Sequence, residues 1–205
     1  MNFLLGVVIS YLLGSIPTAY IFGKLYQGID IRQHGSGNVG ATNTFRVLGK
    51  IPGTIVLLID ILKGTLALTV VGDLFSCDAL LQRILLGVAA IVGHNWTIFL
   101  QFKGGKGVAT TLGVLIGLTI KFSALLPVLL MCVLTWIVFF IFSGYVSLAS
   151  VIAAIVLPIT MIFTGQPLLL VLVGIIFCIF VVVRHRPNIE RLLSGKESRI
   201  KLFKK

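Results

Sequence analysis

The stretch FSALLPVLLMCVLTWIVFFIFS, residues 122–143, contains no charged side chain. About 20 apolar residues in a helix cross the hydrocarbon core of a bilayer, which is about 30 Å thick. Several other stretches have the same character: 58% of the chain is hydrophobic and only 11% is charged, whereas soluble domains are about a quarter charged. The runs are continuously apolar and do not alternate as β-barrel strands do. The sequence therefore predicts an all-α polytopic membrane protein with a single domain, 1–205.

Seven apolar runs predict seven transmembrane helices. Pro17 falls near the end of the first run, beside Gly14 and Ser15, and predicts a kink there. The region 107–143 has two interpretations: two short spans divided near Lys121, or one span that follows a re-entrant segment. The predicted spans are 3–23, 53–72, 84–101, 107–121, 122–143, 146–164 and 168–184.

The basic residues fall almost entirely on one side of these spans. The chain has 17 Lys and Arg against 6 Asp and Glu, a net charge of +11. In a soluble protein such a charge would suggest binding to nucleic acid. If the N-terminus is outside, Arg83 and Lys121 are the only basic residues on the outer side. Since basic residues concentrate in cytoplasmic loops, we predict an external N-terminus, a cytoplasmic C-terminus and no nucleic-acid partner. The fourteen inner basic residues lie in or beside the loops 24–52, 102–106 and 144–145 and the tail 185–205.

A glycine-rich polar segment, GSGNVGATNTFR at residues 35–46, lies in the first predicted cytoplasmic loop. Glycines let several backbone N–H groups converge on one anion, and a helix N-terminus does the same. Short polar side chains add donors, and an arginine adds a fork that fits phosphate. A flexible loop of turn residues is the plainer alternative. The candidate phosphate ligands are Ser36, Gly37, Asn38, Gly40, Thr42, Asn43 and Arg46.

A second glycine-rich segment, KGGKG at residues 103–107, lies in the next predicted cytoplasmic loop. Its last lysine is followed by glycine and not by Ser or Thr, so it is not a P-loop. Its glycines could still bring backbone close to a phosphate. We predict Gly104, Gly105 and Lys106 as ligands, whereas Lys103 has positive-inside anchoring as its plainer alternative.

A third polar segment, RHRPNIERLLSGKES at residues 184–198, follows the last predicted span. An amphipathic basic tail that contacts anionic headgroups is the plainer alternative, and for the last lysines, Lys201, Lys204 and Lys205, it is the interpretation we adopt. His185 and Asn188 are poor lipid anchors, and we predict that they belong to a site.

Isolated polar residues occur within the spans. Asp60 and Lys63 lie three residues apart in the second span. Ionisable residues there are costly and often functional, although an ion pair that holds the bundle together is the plainer alternative. His94 is either functional or part of an interfacial polar belt. Ser147 and Ser150 are either site residues or helix–helix contacts.

Motifs for other chemistries do not occur. The sequence has no His-x4-Asp and no Gly-x-Ser-x-Gly elbow. It also has no cluster with metal-ligand spacing, and Cys77, Cys132 and Cys178 match neither a metal site nor a disulfide framework. We therefore predict no metal, no cofactor and no protein nucleophile, but recognition of phosphate at the inner membrane face.

Five segments follow one another along nearly the whole chain: LLGSIPTAYIFGK, DIRQHGSGNVGATNTFRVLGK, GHNWTIFLQFKGGKGVATTLG, YVSLAS and RHRPNIERLLSGKE. Together they resemble the PlsY family, the bacterial membrane glycerol-3-phosphate acyltransferases that use acyl phosphate as donor. One departure is Ser143-Gly144, where relatives often carry basic residues before the tyrosine.

The resemblance implies transfer of a fatty acyl group from acyl phosphate to glycerol 3-phosphate in the plasma membrane, giving lysophosphatidic acid and inorganic phosphate. It implies seven spans and a cytoplasmic active site. Ser36 and the loop residues through Asn43 would line a phosphate loop, with Arg46 and Lys106 at the phosphates. Ser150, His185 and Asn188 would serve the glycerol phosphate. Acyl phosphate is an activated mixed anhydride, so no covalent acyl-enzyme is expected; the proton acceptor is either His185 or the phosphate of the donor.

Three other functions stay open at this point. A phosphate or organic-phosphate transporter would share the phosphate loops, but the sequence has no internal repeat that would favour one. A scaffold subunit of a lipid-synthesising complex would have no activity alone. An acyl-CoA-dependent enzyme would need room for adenine, which the short loops do not suggest. The pattern makes no prediction of acyl-chain length or oligomeric state.

Overall fold

The computed structural model describes residues 2–200, and every regular element in that range is helical. The all-α prediction is therefore confirmed for those residues. The helix that begins at Lys50 is extended by a π-helical stretch, Ala67–Val71, and by a last turn, Gly72–Leu74. In chain order the helices are α1 (Asn2–Ser15), α2 (Thr18–Gln27), α3 (Ala41–Leu48), α4 (Lys50–Leu66), α5 (Leu80–Asn95), α6 (Val108–Lys121), α7 (Leu126–Ser143), α8 (Val146–Phe163), α9 (Leu168–Arg184) and α10 (Arg186–Leu193).

The lengths of the helices show a multi-pass membrane protein. The pair α9 and α10 is bent by 57° and makes a sixth candidate span when it is counted as one. Helix α6 is apolar but has 14 residues; that is about 21 Å of helix against a core of about 30 Å. Seven complete crossings and their orientation stay predictions. The five stretches that are long and apolar enough by themselves are Asn2–Gln27, Lys50–Leu74, Leu80–Leu100, Ser123–Ser143 and Val146–Phe163.

Two breaks lie where the sequence indicated them. Helix α1 ends at Ser15 and α2 begins at Thr18, so the first span is interrupted at Pro17, which cannot donate a helical hydrogen bond. Helix α6 ends at Lys121, and the next helical turn begins at Ser123. The region 107–143 therefore contains two helices.

The chain forms two compact units, residues up to 122 and residues from 123 onward. The single-domain interpretation stays a prediction. In the first unit, α1 packs on α5 and α4 packs on α6, in both cases through glycines. A Cβ at Gly14 would collide with the carbonyl of Ala90, and one at Gly64 would collide with the carbonyl of Thr110. Such small residues let membrane helices approach closely.

An ion-pair cluster joins three helical segments at the end of α4 in this unit. The buried Arg83 places Nη2 2.7 Å from Asp73 Oδ1, and Lys121 Nζ lies 2.6 Å from Asp73 Oδ2. Asp73 thereby links the end of α4 to both α5 and α6.

In the second unit, α8 packs between α7 and α9. Trp136 Nε1 donates to Ser150 Oγ at 3.2 Å, which joins α7 to α8. The segment after α10 folds back, since the Ile200 N–H donates to the Gly144 carbonyl at 2.9 Å. The tail lysines Lys201, Lys204 and Lys205, predicted to contact lipid headgroups, lie outside the described residues.

Candidate active site

The loop before α3 is held together by one buried amide. Asn43 is 1% exposed. Its Nδ2 donates to the carbonyls of Ile31 and His34 at 3.2 and 3.0 Å, and its Oδ1 accepts the Ser36 N–H at 2.8 Å. Gly35 has φ +60°, and a Cβ there would collide with Asn43 Oδ1. Both the nitrogen and the oxygen of the Asn43 amide therefore hold the loop backbone. That Asn43 also contacts substrate stays a prediction.

A capped turn leads into this loop. The carboxylate of Asp30 accepts the Arg32 N–H at 3.0 Å at the start of the turn Ile31–Gln33, and it also pairs with the Arg32 guanidinium at 2.7 Å. The hydrogen bond from the Arg32 side chain is the main cause that lowers the pKa of Asp30 to about 2. The turn is thus braced by a carboxylate that stays ionised.

Helix α3 begins directly after the loop. The Gly40 carbonyl accepts the N–H groups of Asn43 and Thr44, both at 3.1 Å. The earliest N–H groups of a helix have no partner within it, and they favour an anion. Thr42 and Arg46 are half-buried and one helical turn apart. Ser36 is exposed and Asn38 is half-buried, and both precede the N-terminus of α3 in the chain.

The KGGKG segment packs tightly against the end of α5. The Gly104 N–H donates to the Asn95 carbonyl at 3.1 Å, and the Gly105 N–H donates to the His94 carbonyl at 3.0 Å. A Cβ at Gly104 would collide with the His94 carbonyl, and one at Gly105 would collide with His94 Nε2. The glycines are thus needed for close packing on α5. Their N–H groups are engaged there, and the predicted contact of both glycines with a phosphate stays a prediction.

The two glycine-rich loops meet at Gly105. A Cβ on that residue would lie 2.7 Å from the carbonyl oxygen of Val39, which lies in the first loop. The next residue, Lys106, is half-buried, whereas Lys103 is exposed. Gly107 has φ +76° and precedes α6. The first unit therefore brings together two of the three predicted segments. Arg46 lies in the last turn of α3, and Lys106 lies just before the N-terminus of α6.

The third predicted segment is organised in the second unit around a buried carboxylate. Glu197 accepts hydrogen bonds from Asn188 Nδ2 at 2.7 Å, Arg191 Nε at 2.7 Å and Ser147 Oγ at 2.9 Å. Burial of the carboxyl acts to raise its pKa. The hydrogen bonds from Asn188, Arg191 and Ser147 outweigh burial, so that the pKa of Glu197 is lowered from its ordinary value.

The other two predicted residues of this unit are also buried. His185 Nδ1 lies 2.8 Å from the Val181 carbonyl. A carbonyl only accepts, so Nδ1 carries the proton and Nε2 is the basic nitrogen of the neutral ring. Ser150 Oγ donates to the Val146 carbonyl at 2.8 Å and accepts from Trp136. Sequence reasoning gave no role to Glu197 or Trp136, because such roles depend on contacts between segments far apart in the chain.

The family to which the chain belongs follows from comparison with known proteins. The family model described as "Glycerol-3-phosphate acyltransferase" matches residues 4–195. The chain belongs to this family. The match extends into both compact units and covers four of the five segments in full and the fifth as far as Gly195.

The relatives include a glycerol-3-phosphate acyltransferase 2 from Moorella thermoacetica. It is 48% identical over 198 residues, which are 96% of this chain and 97% of the relative. A glycerol-3-phosphate acyltransferase from Bacillus velezensis is 44% identical over 197 residues, 96% of this chain and 97% of the relative.

Two solved structures have the same fold. Both are of PlsY (YgiH), an integral membrane glycerol 3-phosphate acyltransferase, in its glycerol 3-phosphate and lysophosphatidic acid forms. They have TM-scores of 0.87 and 0.83 and identities of 39% and 38%, and each comparison covers 98% of this chain and 96% of the solved one. The resemblance to the PlsY family is therefore confirmed, and the chain is a multi-pass glycerol-3-phosphate acyltransferase.

Proposed function

We propose that this protein transfers the acyl group of a fatty acyl phosphate to glycerol 3-phosphate, without a covalent acyl-enzyme. The products are lysophosphatidic acid and inorganic phosphate, and the reaction is the first acylation of phospholipid synthesis. The two forms in which the solved PlsY structures are described, glycerol 3-phosphate and lysophosphatidic acid, match the acceptor and the product of this reaction.

The observation that carries the proposal is the meeting of the two glycine-rich loops at Gly105 and Val39. It supports a polar pocket with two cations, Arg46 on α3 and Lys106 before α6. Two positive side chains and a helix N-terminus suit a reaction whose two substrates both carry phosphate. Ser36, exposed in the first loop, is the hydroxyl that we expect at a phosphate.

The proposed chemistry is a direct displacement. The glycerol hydroxyl oxygen attacks the acyl carbonyl carbon, the bond from that carbon to the phosphate oxygen breaks, and phosphate leaves with the electron pair. Lys106 and Arg46 stabilise the charge on the leaving phosphate. The hydroxyl proton passes to the departing phosphate or to Nε2 of His185, whose Nδ1–H is held by the Val181 carbonyl. We expect Ser150 and Asn188 to bind the glycerol phosphate.

We also propose seven spans with an external N-terminus, in a bacterial plasma membrane, and chemistry at the cytoplasmic face. The excess of fourteen basic residues on one side against two on the other supports this orientation. Substrates made in the cytoplasm would then reach the glycine-rich loops directly, and the product would enter the inner leaflet.

A donor comparison on the purified protein tests the proposal. Acyl phosphate should give lysophosphatidic acid in detergent, and acyl-CoA should not. Lys106→Ala and Arg46→Ala should each abolish turnover while the protein remains folded. Lys103→Ala is the matched control, because this exposed lysine of the same loop should leave kcat within about threefold of wild type. Near-normal turnover in either of the first two variants would refute the role of that residue.

The same assay separates the other functions. An acyl-CoA-dependent enzyme would make lysophosphatidic acid from acyl-CoA and not from acyl phosphate. A transporter would show phosphate movement only in sealed vesicles and would make no lysophosphatidic acid in detergent. A scaffold subunit would be inactive alone and would tolerate substitutions in 36–43 and 104–107.

A further inference from the structure

A buried charged cluster lies beneath the junction of the two glycine-rich loops. Asp60 and Lys63 on α4 pair at 2.8 Å, with each side chain 3% exposed. Thr18 Oγ1 donates to Asp60 Oδ1 at 3.2 Å, and Lys63 Nζ donates to the Ile16 carbonyl at 3.2 Å. The predicted ion pair of α4 is therefore present. It is anchored at the break between α1 and α2, where the Ile16 carbonyl also accepts the Thr18 N–H at 3.0 Å.

The cluster continues toward the loops through His94. Its Nδ1 lies 3.7 Å from Asp60 Oδ1. The other ring nitrogen, Nε2, faces Gly105 so closely that a Cβ there would collide with it. The imidazole therefore lies between the Asp60 carboxylate on one side and the residue before Lys106 on the other.

A small cleft connects the same groups to both loops. Its lining includes Val39 from the first loop and Gly104 from the second, and the ion pair forms part of its wall. The polar residues that line it are Ser15, Thr18, Asp60, Lys63, His94 and Thr97. The charges thus lie at the base of the loop junction and not at a remote helix contact.

A buried ion pair is weak evidence for stability, because desolvation of the charges offsets most of their attraction. Ionisable residues within membrane spans more often serve function. The first unit has another ion pair, between Asp73 and Arg83, beyond the C-terminal end of α4, and there the carboxylate is 53% exposed. The Asp60 pair differs from it in that both side chains are buried and in that it contacts the histidine that supports Gly105.

We propose that Asp60 is a positioning residue for acyl transfer, which acts through His94 to fix Gly105 and thereby Lys106. The carboxylate orients the imidazole from the Nδ1 side, and Nε2 then forms the surface on which Gly105 rests. Lys63 neutralises the carboxylate and ties it to Ile16, so the position of the imidazole is set by helices and not by the loop. This inference rests on the proposed role of Lys106 at the leaving phosphate.

The test removes both charges together, because Asp60→Asn alone would leave a buried Lys63 charge unpaired. Asp60→Asn/Lys63→Met should fold but lose kcat by about 30-fold or more, with KM for both substrates within about threefold. His94→Asn, which keeps the ion pair, should give the same loss confined to kcat. The control is Asp73→Asn: it removes the carboxylate that pairs with Arg83 and Lys121 after α4, and it should lower Tm while kcat stays within about threefold.

Combining the variants tests the pathway. If Asp60 acts through His94, adding His94→Asn to the double variant should cost no more than about a further threefold in kcat. If the kcat losses of the double variant and of His94→Asn instead multiply, the two act independently and the proposal is overturned. Unchanged kcat in His94→Asn would overturn it as well. Should the double variant not fold, His94→Asn alone decides: a loss of kcat by about 30-fold or more supports the proposal, and an unchanged kcat overturns it. Lys106→Ala run in parallel separates the two claims: if it retains turnover, the proposed role of Lys106 fails; if it loses turnover while the Asp60 and His94 variants keep theirs, only the positioning fails.

Discussion

Gly105→Ala is the substitution whose effect the structure predicts most sharply. The added methyl group would collide with His94 Nε2 and would lie 2.7 Å from the Val39 carbonyl, whereas ordinary contact begins at 3.4 Å. The obstacles are a buried ring and a backbone oxygen, and neither is the free end of a flexible side chain. The loop itself must therefore move, by about 1 Å, and Lys106 moves with it.

A displacement of about 1 Å at a reacting group costs about 100-fold in rate, so we expect kcat to fall by about that factor. The Gly105 N–H bond to the His94 carbonyl is the main contact at risk, at about 1 kcal/mol, and Tm should fall by only a few degrees, about 2–4 °C. The assay is steady-state formation of lysophosphatidic acid by purified protein, with thermal unfolding measured on the same preparation.

Gly6→Ala is the matched control, because a Cβ at this helical position would meet only side-chain atoms, at 3.3 Å or more. It should leave both kcat and Tm near wild type. Gly105→Ala with kcat within about threefold of wild type would refute the reasoning, since the loop would then tolerate the collision. A large loss of Tm together with kcat would also count against it, since the cause would be unfolding.

The remaining predictions concern the two residues that organise the other segments. Glu197→Gln should destabilise the protein by about 2 kcal/mol, because three hydrogen bonds to a carboxylate are weakened. Since the pKa of Glu197 is lowered on folding, its contribution is present above the ordinary carboxyl pKa and is lost as pH falls below it. Tm of wild type should therefore fall at acid pH by more than Tm of the variant, and equal falls would contradict this. Asn43→Ala should remove the side-chain donor to the Ile31 and His34 carbonyls and the acceptor of the Ser36 N–H. It should lower Tm and kcat/KM for glycerol 3-phosphate together, by about 2 kcal/mol in stability; unchanged values would show that the loop holds without the amide.

Much of the fold could be predicted because apolar runs of span length leave few alternatives. The predicted spans 146–164 and 168–184 correspond to Val146–Phe163 and Leu168–Arg184. The second span was predicted at about 53–72, and the helix that contains it begins three residues earlier, at Lys50. Pro52 lies in the first turn of this helix, where a proline loses no helical hydrogen bond.

The predicted site was less complete because glycine has two uses that sequence does not distinguish. The glycines of KGGKG indicated backbone that approaches a phosphate, which stays a prediction; their close packing on His94 and Asn95 was not foreseen. Similarly, Asn43 stays a predicted ligand, and the use of its amide by its own loop was not foreseen. Close contacts between segments 10 or 60 residues apart decide these roles, and no local pattern records them.

The measurement that tests the central claim most directly is release of inorganic phosphate from acyl phosphate by the purified protein, with and without glycerol 3-phosphate. Direct transfer predicts no phosphate burst and no acyl adduct in the intact protein mass when the acceptor is absent. On adding glycerol 3-phosphate, phosphate and lysophosphatidic acid should appear in equal amounts. A burst equal to the enzyme concentration before the acceptor is added, with a matching gain in protein mass, would contradict the account.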